Sequence, residues 1–238
     1  GRGDGRAVAR ELLSRFVRRA WRRPVESRDV SRLMALYDLA RGQGESFENA
    51  VRVGLQAVLV SPHFLFRGEI QSEPDNPRAI HAINEHALAA RLSYFLWSSL
   101  PDETLTRLAA RGELRRDLKR QVQRMLGDPK SRALTENFAG QWLQLRLLDL
   151  VSPDKVQFPD FDENLRSAMR RETMLLFDHI LRENRPVTEF LTSDYTFVNE
   201  RLARHYGLSG VSGEDFRKVS LTGTPRGGVL THASFLTF

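Results

Sequence analysis

Apolar residues recur at helical spacing along nearly the whole chain. Residues 6–22 place Ala9, Leu12, Leu13, Phe16, Val17 and Ala20 on one stripe, with arginines opposite, and Pro24 ends the segment. Ser27 caps a predicted second helix with Val30, Leu33, Met34 and Tyr37 inward and Gly42 beyond its end. Ser46 opens a third, carrying Phe47, Val51, Leu55 and Val58, which stops at Ser61-Pro62. Further helices are predicted from Asn84 to about Ser98, from Pro101 to Gly112, and over 115–126. A helix after Asp128-Pro129 puts Leu134, Phe138, Trp142 and Leu145 on one face. The longest runs from about 162 to 184, with Leu165, Met169, Leu176, Phe177 and Ile180 inward, and short helices fit 187–192 and 197–206.

These patterns predict an all-α fold, a multi-helix orthogonal or bundle-like array. Only the tail FRKVSLTGTPRGGVL reads as irregular or strand-like. GEIQSEPDNPRAIHA (68–82) has two prolines and no periodicity, so it is the predicted linker. The expected organisation is a three-helix unit at 1–70, a larger helical unit at 80–208, and the start of a third unit at 209–238.

Charge narrows the functional classes. Residues 1–23 hold eight arginines against Asp4 and Glu11, which accounts for the whole net charge of +6; the remaining 215 residues are balanced. A DNA-binding domain spreads basic groups over a face built from several elements, so nucleic acid is not the expected partner. The first helix could instead lie on an anionic membrane, but arginine stems also cover the edges of ordinary cores, and packing is the preferred reading. The chain has no cysteine, which excludes disulfides, thiolate metal sites and covalent c-type haem attachment within it. No apolar run is long enough to form a transmembrane segment. GRGDGRAVAR lacks the apolar core of an export signal, and THASFLTF stops within an apolar stretch. The chain therefore reads as a segment of a longer protein, which is compatible with export.

Candidate chemistry is sparse. In RLSYFLWSSLPDETL, Tyr94, Phe95 and Trp97 form either one side of a buried helix, the preferred reading, or a platform for a ligand or haem. Among the six histidines no pair has the i, i+4 spacing of a helical zinc site, and no metal site is expected. Glu172 and His179 share one face of the longest helix but stand two turns apart. His179, His205 and Trp97 are the candidates for contact with a cofactor. Glu172, Asp194 and Glu200 are the candidates for acid–base work, with helix capping the simpler role for the latter two. Asp194 or Thr196 is the expected cap of the helix that carries Leu202 and Tyr206. Gly227-Gly228 reads as a turn whose amides could hold an anion.

RFVRRAWRRPV and LQAVLVSPHFLFR resemble one small domain of unknown function. ARLSYFLWSSLPDETL, LAARGEL, VQRMLGDPKSRAL, FAGQWLQL, RRETMLLFDHIL and TSDYTFVNERLARHYGL resemble the next, and RGGVLTHASFL resembles the beginning of a third. Such domains occur consecutively in large exported proteins of planctomycetes and related bacteria, typically after a cytochrome-c-like domain. The resemblance implies a periplasmic or exported location and a cytochrome-like domain or redox partner as neighbour. Haem c is expected only in an upstream domain. It implies no activity. The expected role is a helical scaffold or docking module supporting electron transfer or assembly; the alternative is a catalytic domain, such as one hydrolysing polysaccharide, that uses carboxylates.

Overall fold

The computed structural model describes residues 2–69 and 73–237; residues 70 and 238, which end two of the predicted units, lie outside it. The fold is mostly helical, with one two-stranded sheet among the described residues. None of its helices, over the described residues, is long and apolar enough to cross a membrane. The chain forms two compact units, Gly1–Arg124 and Met125–Phe238. This boundary falls inside the segment expected to form the 80–208 unit, and residues 209–237 are built into the second unit.

In the first unit, α1 (Arg2–Trp21), α2 (Ser27–Gly42) and α3 (Phe47–Leu59) enclose one core. Leu13 and Val17 of α1, Met34 and Tyr37 of α2, and Val58 of α3 are buried in it. Leu12, expected inward, is largely exposed. Ser46 caps α3 by accepting a hydrogen bond from the Asn49 amide at 3.1 Å. Ser27 is the first residue of α2 and not its cap; Glu26 stands at the cap, its amide donating to Asp29 at 3.1 Å. A short α4 (Pro62–Leu65) follows, and the described part of the predicted linker has no helix or strand. Next come α5 (Glu85–Trp97), capped by Asn84, and α6 (Glu103–Ala110), capped by Asp102; α7 (Leu118–Leu126) reaches the boundary. On α5, Trp97 and Leu96 are buried, but Phe95 is 55% exposed, so the aromatic stretch is only partly core.

The second unit departs from the expected regularity. After a 3-10 turn at Pro129–Ser131 come α8 (Arg132–Leu134), a π turn at Thr135–Ala139 and α9 (Gly140–Trp142). An α-helix would put Leu134, Phe138 and Trp142 on one face. The π turn bonds i to i+5, so it takes up an extra residue and shifts the inward stripe by one position. Ala139 and Leu143 are buried in consequence, while Phe138 and Trp142 are 41% and 52% exposed. The expectation that Phe95 and Trp142 are core residues is therefore corrected.

The centre of this unit is α10 (Glu163–Arg182), capped by Asp162. Around it lie α11 (Glu189–Thr192), β1 (Tyr195–Val198), α12 (Glu200–Tyr206), β2 (Arg217–Ser220) and α13 (Ala233–Leu236). β1 and β2 are antiparallel, with Tyr195 opposite Ser220 and Val198 opposite Arg217. Residues 197–198, expected to begin a helix, are thus strand. The helix cap is Asn199, which accepts from the Leu202 amide at 3.0 Å, and not Asp194 or Thr196.

Candidate functional site

The candidate site grows out of α10. Leu165, Met169, Leu176 and Ile180 of this helix are buried, and Glu172 lies in the same stripe with no exposed surface. A carboxylate cannot be left there without partners. β1 supplies the first. Strand alternation turns Thr196 and Val198 to one side, both fully buried, and Tyr195 and Phe197 to the other. The Thr196 hydroxyl donates to Glu172 Oε1 at 2.6 Å. The second partner is Tyr206, in the last turn of α12, whose hydroxyl donates to Oε2 at 2.6 Å. That hydroxyl in turn accepts from the Ala233 amide at 2.7 Å.

The third side comes from the tail. Gly228 has φ +63°, and a Cβ there would overlap the backbone of Leu191. Only glycine lets the chain pass so close to α11, and the following 3-10 turn then delivers His232 beside α10. His232 is 1% exposed; its Nδ1 lies 2.8 Å from the Thr173 hydroxyl, which also lies 2.7 Å from the Ser234 hydroxyl. His232 Nε2 is 3.4 Å from Thr196 Oγ1 and 3.7 Å from Glu172 Oε1. The Arg226 guanidinium covers the Tyr206 ring at 3.9 Å from its centroid.

Burial fixes the charges. It raises the Glu172 pKa to about 7, against the hydrogen bonds from Thr196 and Tyr206 and the Arg226 charge, which all favour the carboxylate. It also depresses His232 to about 3, aided by Arg226, so this imidazole is neutral at physiological pH. Burial and the adjoining carboxylate hold the Tyr206 phenol well above its ordinary range. A perturbed carboxylate beside an imidazole and two hydroxyls is the raw material of acid–base chemistry. Here both Glu172 oxygens are occupied, and Glu172, Thr173, Thr196, His232 and Ser234 are all at most 1% exposed. The cluster therefore works as a clamp between α10, β1, α12 and the 229–236 segment.

The structure separates the other candidates. Glu200 accepts from the Gly213 amide at 2.8 Å and pairs with Arg204 at 2.8 Å, so it closes the loop after α12. These contacts hold its carboxyl below the usual range. Asp194 is exposed, and its backbone carbonyl accepts from Leu221. His179 is not joined to Glu172; it packs on Tyr195 and Phe197, each 5.4 Å away between ring centroids, and its Nε2 lies 3.2 Å from Lys218 Nζ. Burial and then the Lys218 charge lower its pKa. His205 is exposed beside Tyr206, and Trp97 is buried, with the Arg124 guanidinium 5.5 Å from its ring centroid. The Gly227 amide donates to Thr231 Oγ1 and the Gly228 amide to the Ser193 carbonyl, so neither is available to an anion. No group of three or more metal-ligating side chains occurs among the described residues.

Residues 83–208 match a family described as a protein of unknown function, DUF1592. The chain belongs to the DUF1592 family. Residues 8–69 match a second family described the same way, DUF1595, so the two domains are consecutive. No curated protein and no solved structure matches the chain. The DUF1592 match contains Glu172, Thr173, Thr196 and Tyr206 but ends before Arg226, His232 and Ser234. The clamp of this DUF1592 chain thus needs side chains from beyond the matched stretch. Sequence reasoning passed over His232, Thr173, Thr196, Tyr206 and Ser234 as a group. The usable signal was Glu172 itself, a charge set into the apolar stripe of a helix.

Proposed function

We propose that the chain is a non-catalytic helical scaffold or docking module of an exported, cytochrome-associated protein, supporting electron transfer or assembly. One observation carries the non-catalytic part: the three candidate carboxylates do not converge on an open cleft. Glu172 is enclosed, Glu200 holds a loop amide, and Asp194 stands exposed. Glycoside hydrolysis requires two carboxyl groups flanking a bound sugar, about 5–10 Å apart depending on mechanism. Of the candidates for contact with haem, Trp97 is buried beneath an arginine and His179 faces a lysine. That arrangement favours a haem held elsewhere in the protein, with this segment as its support. The cytochrome neighbour and the exported location rest on the resemblance of the sequence motifs.

The test uses the full-length protein, isolated by cell fractionation and examined for covalently bound haem. Parent, Asp194→Asn and Glu200→Gln are compared for turnover of polysaccharides and redox dyes. The expected result is a periplasmic or secreted haem protein without carboxylate-dependent turnover. Activity lost in a stably folded variant would establish the hydrolytic alternative instead.

A further inference from the structure

We propose that a cleft in the second unit, between the 3-10 turn after α7 and the outer face of α10, binds a small organic phosphate monoester. The cleft encloses about 330 Å³, at the small end of the ordinary range for ligand sites of about 300–1,000 Å³. Arg132, Arg171 and Arg182 line it together with Asp178, Met174 and Leu175. Arg171, Leu175, Asp178 and Arg182 follow one another at helical spacing, so α10 presents them on one stripe.

Three guanidinium groups face one carboxylate, and that carboxylate is already engaged. Asp178 accepts from Arg182 Nε at 2.7 Å and from the Thr135 hydroxyl at 3.1 Å. Arg182 also donates to Ser131 Oγ at 3.2 Å, which fixes it in the wall. The Arg132 and Arg171 guanidinium groups have no ion pair or hydrogen bond among the described residues. The cleft therefore carries an excess of two positive charges, which complements a phosphate monoester dianion better than a carboxylate. Guanidinium forks match the paired oxygens of such a group. Met174 and Leu175 add an apolar wall, which suits an organic body attached to the phosphate. This site is distinct from the buried clamp and does not depend on the scaffold reading.

The experiment is a calorimetric titration of the protein with phenyl phosphate at pH 8, with benzoate and phenyl sulfate as comparison arms at matched ionic strength. Saturable binding of phenyl phosphate with Kd of about 1 mM or tighter is expected, and binding of the two monoanions weaker by about tenfold or more. Arg132→Gln with Arg171→Gln should weaken phenyl phosphate by at least about tenfold. Both side chains are exposed, so the melting temperature should hold; if the double variant melts early, Arg171→Gln alone is read the same way. No saturation by 10 mM, equal affinity for benzoate, or unchanged affinity in the folded variant would each overturn the proposal.

Discussion

Glu172→Gln changes one proton-binding group inside the clamp while keeping its shape. Folding raises the Glu172 pKa from 4.5 to about 7, so between these values the folded protein holds a proton that the unfolded chain releases. Stability from this group is complete below pH 4.5 and is lost as the pH rises through 7. The difference amounts to about 3 kcal/mol at high pH, most of which falls between pH 5 and 8. Glutamine has no such proton, so the variant lacks this decline. It loses one acceptor, facing either Thr196 or Tyr206, at a cost of about 1 kcal/mol. At pH 5 the parent has already lost about 1 kcal/mol of its proton-linked stability, so the two proteins should be nearly equal in stability; by pH 8 the variant should be ahead by about 2 kcal/mol. Urea denaturation of parent and variant at pH 5, 6, 7 and 8 gives the gap directly, and titration of groups common to both cancels. A gap that stays constant over this range would refute the burial argument, whatever its size.

His232→Gln tests the other side of the clamp. The folded imidazole stays neutral down to about pH 3 while the unfolded one protonates near 6.5, so the parent should lose about 3 kcal/mol between pH 7 and 4 that the variant does not lose; parallel denaturation curves at the two pH values would contradict this. Gly228→Ala should cost about 2–4 kcal/mol, because it combines a positive φ with overlap against the Leu191 carbonyl, and a melting temperature equal to the parent's would show that the tail does not pass where described. Trp142→Ala should cost only about 1–2 kcal/mol, against about 2–5 kcal/mol for Leu176→Ala in the core; the reverse ranking in thermal melts would restore Trp142 to the interior.

Most of the helices are legible in the sequence because their signals are local. The apolar stripes of α2 and α10, the caps at Ser46 and Asn84, and the breaks at Pro24 and Pro62 depend on neighbours a few residues away. Where a local pattern has two geometric solutions, packing chose between them. Leu134, Phe138 and Trp142 fit an α-helical stripe as written, yet the π turn buries Ala139 and Leu143 instead. Tyr195–Val198 lacks a partner within its own neighbourhood, and becomes a strand because Arg217–Ser220 returns beside it. The candidate site was legible only in part. Glu172 stood out as a candidate carboxylate on the longest helix, but its partners come from residues 24, 34 and 60 positions later. No spacing rule links such distances; they are set by how β1, α12 and the glycine-bearing tail pack around one helix. What the sequence by itself determined was a set of amphipathic helices and one carboxylate that had to be neutralised. The tertiary structure decided how, because the desolvation that raises Glu172 and lowers His232 arises only once the elements close over them.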